Sequence, residues 1–315
     1  MAGRGDGRQD GAMSPPLILC GVADDESADD VLAVGRHLAQ LAACELRYAH
    51  VADRPIPPAG AYGPFPGVNG PVASTGPADV ERLVDLALEG GAALLHRAGI
   101  AAEETLVTVG DPAEALDQLA NEHDAWLVVV GTRGRGAVGS ALLGSVSRSL
   151  ARRGSRPLLI TRSRWGAPRG SPVVCGIDPD EPQARSVITT AARLATGLDR
   201  PLVLACVIEG SPGAAAAFGA GAAPTRAVGE PQVEAALTRL EGLRAELEGA
   251  QAEVVALQGA PATELDRLAA ERGAELLVVG YRGGASLRTI IIGSVSLELA
   301  RGKGCPVVVV GPQVL

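Results

Sequence analysis

Two stretches of this sequence carry residue types at spacings that could hold a ligand. Gly131 and Gly134 are followed, after nine further residues, by Gly144 and Ser145. Gly280 and Gly283 are followed at the same interval by Gly293 and Ser294. Each set comes directly after a Val-rich run and leads into a segment with helical patterning. Glycine at the first two positions permits a positive φ and a close approach to a bound group. A helix opening at Gly144 or Gly293 presents unpaired amides and the positive end of its dipole, which together attract an anion such as phosphate. The hydroxyls of Ser145 and Ser147, and of Ser294 and Ser296, would add donors on the same turn. A purely steric reading, tight turns followed by a helix cap, needs no ligand.

Other chemistries fit less well. Gly134, Gly136 and Gly139 spell G-x-G-x-x-G, the dinucleotide fingerprint, but it follows the fourth strand of its copy rather than the first. The segment Leu158 to Arg164 supplies no carboxylate for a ribose, and the second copy does not keep the pattern, so a dehydrogenase is rejected. The sequence contains no G-K-[ST] P-loop, and the serine segments form no G-x-S-x-G nucleophile elbow. His37, His50, His96 and His123 lack the spacing of a metal site. Arg133, Arg135 and Arg282 lie in the glycine loops, where they would either neutralise a triphosphate or remain solvated.

The elements that position these glycines are written twice. The run 17–22 returns at 173–178, with Cys20 and Gly21 matching Cys175 and Gly176, and the run 126–134 returns at 276–283. Two long copies exclude a solenoid, whose repeats are far shorter. In copy one, strands are expected at 17–22, 45–51, 103–109, 125–130 and 157–161, with helices at 27–43, 78–97, 112–122 and 144–153. In copy two, strands are expected at 172–177, 201–208, 252–258, 275–279 and 305–310, with helices at 183–197, 231–248, 261–272 and 294–302. Ser27 and Asp111 read as N-caps. Continuous apolar strands alternating with helices imply two repeated doubly wound α/β domains, each on a five-stranded parallel sheet. The expected boundaries are a disordered segment 1–14, a first domain 15–163, a linker 164–171 and a second domain 172–315. Loops 53–77 and 209–230 are too long for simple connections and are expected to be disordered or to act as lids. The fifth strands lie at bare sheet edges and are expected to pair antiparallel, joining the two copies about a pseudo-two-fold axis.

Composition narrows the function. A net charge of -8 argues against a general nucleic-acid or membrane-surface binder. Five scattered cysteines with no C-x-x-C fit free thiols in a reducing compartment, and a cytoplasmic location is expected.

The motif G-x2-G-x9-G-S after a fourth strand resembles the ATP-binding motif of the universal stress protein family. The stretch 110–116 and the strand ending in Asp178 resemble that family as well, and the likeness covers nearly the whole chain. It implies strand order 3-2-1-4-5, a Rossmann-like sheet, ATP as ligand with or without Mg2+, and two sites. By position, Val51 and Val207 would contact the base, and Asp178 the ribose or phosphate side. Gly131, Gly134, Gly144, Ser145, Val146 and Ser147 would hold ribose and phosphates in copy one. Gly280, Gly283, Gly293, Ser294, Val295 and Ser296 would do so in copy two. Ala23 stands where copy two has Asp178, with Asp24 and Asp25 just beyond, so the first site depends on a substitute carboxylate. A nucleotide-responsive regulator is the expected role, with at most weak ATPase activity and a homodimer as a further option. The alternatives are an interaction module that binds no nucleotide and a slow adenine-nucleotide-dependent enzyme.

Overall fold

The computed structural model describes residues 15–53, 77–132, 144–153, 155–162, 170–209, 230–247, 251–281, 293–302 and 304–311. The N-terminal segment 1–14 and most of loops 53–77 and 209–230 lie outside the described residues, as do Arg133, Gly134, Arg135, Arg282 and Gly283.

Copy one runs β1 (Leu17–Gly21), α1 (Ala28–Ala42), β2 (Glu45–Ala52), α2 (Pro77–Arg97), β3 (Thr105–Val109), α3 (Pro112–Glu122), β4 (Ala125–Gly131), α4 (Ser145–Arg153) and β5 (Leu158–Thr161). Copy two runs β6 (Val173–Gly176), α5 (Ala184–Gly197), β7 (Leu202–Ile208), α6 (Glu230–Ala245), β8 (Ala252–Gln258), α7 (Pro261–Glu271), β9 (Leu276–Gly280), α8 (Ser294–Arg301) and β10 (Val307–Val310). One ten-stranded sheet runs through both, in the order β3-β2-β1-β4-β5-β10-β9-β6-β7-β8. Within each copy this is the order 3-2-1-4-5, with every pairing parallel. Among the described residues, the one antiparallel pairing is β5 with β10, where Val308 lies opposite Leu159.

Period-two side-chain alternation sorts the apolar strands between two cores. Ile18 and Cys20 of β1 point to the layer of α1 and α5, whereas Leu17 and Leu19 point to the layer of α3, α4, α7 and α8. Both cores cross the seam, through Val308 and Val310 on one side and Val307 and Val309 on the other. The β5–β10 edge is therefore dry on both faces.

Local starts and stops follow from the sequence with three corrections, the simplest being that the strand expected from residue 305 begins at Val307. Asp111 caps α3 by accepting the amide of Glu114 at 2.9 Å, ahead of Pro112 in the first turn. Ser27 does not cap α1. Its backbone is already helical, and its hydroxyl donates to Asp25 at 2.5 Å, so Asp25 takes over the turn by also accepting the Ser27 amide at 2.9 Å. The strand expected from residue 103 begins at Thr105, because Ala102–Glu104 form a short 3-10 turn. Ala101 anchors that turn by accepting both the Glu104 amide and the Thr105 hydroxyl.

Candidate functional site

In each copy the strand order reverses beside the first strand, between β1 and β4 and between β6 and β9. Connections leave such a pair toward opposite faces of the sheet, opening a crevice at the carboxyl ends. Copy two has a cleft of about 310 Å³ there, and copy one has a cleft of about 560 Å³.

The expected residues converge on these clefts. Val51, Gly131, Gly144, Val146 and Ser147 line the first. Asp178, Val207, Gly280, Gly293, Val295 and Ser296 line the second. Ser145 and Ser294 are exposed first residues of α4 and α8. Gly293 sits in extended backbone just before α8, at φ -56 and ψ 145.

Two of the expected serines work differently from the sequence reading. Ser147 is 1% exposed and its hydroxyl donates to the Gly131 carbonyl at 3.0 Å. Ser296 is 2% exposed and donates to the Gly280 carbonyl at 2.7 Å. A serine hydroxyl has one proton, so neither has a second to give a ligand. Each clamps the start of the helix onto the end of the strand, fixing the direction of the first-turn amides.

The strand-end glycines have a packing cause as well. A Cβ on Gly131 would lie 2.5 Å from the Ser27 Cβ, and one on Gly280 would lie 2.9 Å from a methyl of Val187. The entry of α1 or α5 fills that space, so glycine is required there with or without a ligand. Gly21 and Gly176 do the same for the other layer, where a Cβ would press on Leu116 or Leu265.

Sequence reasoning missed Gln183, Glu181 and Glu209, which line the second cleft. Gln183 donates its side-chain amide to the Tyr281 carbonyl and occupies the place that Ser27 takes in copy one. The shared location, one residue before the first helix of each copy, was available in the repeat. In the first cleft, His50 was also missed. Its Nδ1 lies 2.9 Å from the Val22 carbonyl, an obligate acceptor, which places the proton on Nδ1.

The two clefts differ in their carboxylates. Val22 and Ile177 make the same backbone bond to the second strand, to Ala49 and Ala205, so the next residues correspond: Ala23 and Asp178. Asp178 is exposed at the mouth of its cleft and accepts the Asp180 amide at 3.1 Å. The loop from Gly21 to Ser27 is one residue shorter than that from Gly176 to Gln183. Asp25 is drawn into the turn with Ser27, and Asp24 lines the first cleft beside it.

Every resolved thiol and phenol shift points away from reactivity at neutral pH. Burial pushes the Cys206 thiol up to about 11, with Asp178 and Asp180 adding to the effect. Burial also carries Tyr281, beside the second cleft, up to about 12. Buried Cys20 and Cys175 are raised further still. A nucleophilic thiolate needs the opposite shift. Among the described residues, no group of three or more His, Cys, Asp or Glu could hold a metal ion. No helix among them is long and apolar enough to cross a membrane.

Two doubly wound halves of one sheet, each with a crevice at its switch point, define a tandem α/β protein. The chain belongs to the universal stress protein family, which matches it twice, over residues 17–162 and 171–311. A universal stress protein of Mycobacterium tuberculosis strain H37Rv is 30% identical over 204 residues, covering 63% of this chain and 65% of the relative. One from Thermus aquaticus is 45% identical over 64 residues, covering 20% of this chain and 47% of the relative. The chain thus spans less than two thirds of the length of these curated relatives. Among solved structures, a universal stress protein from Archaeoglobus fulgidus DSM 4304 superposes with a TM-score of 0.61 at 18% identity. That match covers 94% of this chain and 98% of the other, and it shows the shared fold.

Proposed function

We propose that this chain is an ATP-binding universal stress protein with a nucleotide site in each copy, acting as a nucleotide-responsive regulator. One observation carries the reading. In both copies a glycine at a helix start, Gly144 or Gly293, lines a switch-point cleft, and a buried serine in that helix's first turn is clamped to the facing strand end. Two copies whose intervening residues have diverged set a helix start, where an α-helix leaves its first amides without intrahelical partners, against the same crevice. Adenine and ribose would lie toward Val51 or Val207, and the phosphates over the helix start, with Gly134 and Gly283 completing the loop. The second site takes its carboxylate from Asp178 and the first from Asp24. The division into domains 15–163 and 172–315 and a cytoplasmic location belong to the same proposal.

A second reading has its own support. Gly131 and Gly280 are demanded by helix packing, and Ser147 and Ser296 by the strand–helix clamp, so these four would be retained in a fold that binds no nucleotide. Gly144 and Gly293 separate the readings, since their place at the cleft wall is where a ligand's phosphate would touch. Mass spectrometry of small molecules released from purified protein decides between them. ATP, ADP or AMP near two equivalents per chain supports the first reading, and a chain that releases none and takes up none from solution supports the second.

A further inference from the structure

The helix that starts beside each cleft also reaches across the seam to the strand that ends in the other cleft. In copy two, Gln183 and Val187 stand against Gly280 at the start of α5. Farther along α5, the Arg193 guanidinium lies over the Trp126 ring, 4.4 Å from its centroid. Trp126 belongs to β4, whose last residue is Gly131 in the first cleft.

The reverse path has the same design. Ser27 and Val31 stand against Gly131 at the start of α1. Farther along α1, His37 Nε2 lies 2.7 Å from Oε1 of Glu275, which is 1% exposed and also holds Arg200. Glu275 immediately precedes β9, whose last residue is Gly280 in the second cleft. The offset that places Val31 on Val187 also places His37 on Arg193, and the offset that places Gly131 on Gly280 places Trp126 on Glu275. The two contacts are thus one position pair used twice, once as cation–π and once as a His–Glu hydrogen bond. Gly197 of α5, whose added Cβ would meet Ala42 of α1 at 3.3 Å, brings the two helices together between them.

We propose that the two clefts are energetically coupled through these paths, with Arg193 and His37 as positioning residues. Each helix is a single rigid element, about 22 Å long for α1 at 1.5 Å per residue. A ligand that shifts the Gln183–Val187 wall displaces the rigid helix and with it the exposed Arg193, whose guanidinium rests on the half-buried Trp126 ring. Coupling of this kind is reciprocal, so occupancy of the first cleft acts on the second by the same factor.

The inference rests on the proposed nucleotide sites, and the test separates the two. Full-length chain is titrated with ATP as wild type, as Gly144→Val and as Gly293→Val, which give the combined and the single-site isotherms. Coupling appears as a wild-type isotherm that departs from the sum of the single-site ones by about 5-fold or more in one affinity. Arg193→Met with His37→Phe, which keep apolar stems at the seam, should return that factor to about one while leaving each single-site affinity in place. A wild-type isotherm equal to the sum overturns the coupling, and a variant that keeps the factor overturns the two residues. If ATP does not bind at all, the nucleotide reading fails on its own. Amide exchange of the ligand-free chain then judges the seam. Faster exchange across Val187 and Ile188 in Arg193→Met supports the positioning role, and unchanged exchange refutes it.

Discussion

The Ser296 hydroxyl donates to the Gly280 carbonyl at 2.7 Å, tying the first turn of α8 to the last residue of β9. Its counterpart in the first copy ties Ser147 to Gly131 at 3.0 Å. Both serines are buried and both bonds close a strand-to-helix junction at a cleft. Ser296→Ala should therefore lower stability by about 1 kcal/mol and leave the half-buried Gly280 carbonyl short of a donor. It should also weaken nucleotide binding at the second site without abolishing it. Urea denaturation and ATP titration of the same preparation check the two halves together.

Gly131→Ala tests the packing cause of the strand-end glycine apart from any ligand. The new methyl meets the Ser27 Cβ, and the cost should be about 1–3 kcal/mol in ligand-free protein. Ser27→Gly in the same chain removes that obstacle and should recover part of the loss, although it also removes the Asp25 hydroxyl bond. Equal losses in the single and double variants would show that the contact with Ser27 is not what excludes a side chain.

Val308→Lys probes the seam between the copies. Val308 is fully buried opposite Leu159, so a lysine there places an unpaired charge between two dry sheet faces. A loss of about 3 kcal/mol or more is expected, with separation of the copies visible as a larger radius in small-angle scattering. A variant as stable and compact as the parent would contradict the buried seam.

Alkaline pH should destabilise the fold. Burial raises the thiols of Cys206 and Cys305 from about 9 to about 11 and the phenols of Tyr48 and Tyr281 from about 10 to about 12. Folded protein thus holds these protons more tightly than unfolded chain. Their contribution is complete below pH 9 and is lost as pH rises from 9 toward 12. Urea midpoints on either side of pH 9 measure it. Replacing Cys206 and Cys305 with alanine should flatten the decline.

The order of elements was legible because apolar runs such as those of β4 and β10 are continuous and bounded by turn residues, and the repeat confirmed each element against its copy. The lining of the two clefts was legible where backbone geometry decides it, at Gly131, Gly144, Gly280 and Gly293. Side-chain roles were less so. Ser27 reads as a cap but loses that role to Asp25, whose carboxylate reaches both the amide and the hydroxyl. Ser147 and Ser296 read as ligand donors, yet a helical turn that points one serine out buries the next but one against the strand. The seam contacts of His37 and Arg193 were invisible, because each joins residues from different copies and only the superposed repeat shows their equivalence.

The central claim is that each cleft grips a nucleotide by the amides at the start of α4 or α8. Calorimetric titration of full-length chain with ATP tests it most directly when run beside Gly293→Val, whose branched side chain stands where the phosphate would approach. The account predicts two equivalents bound by the wild type and one by the variant. A folded wild type that takes up no ATP, or a Gly293→Val chain that still binds two, would contradict it.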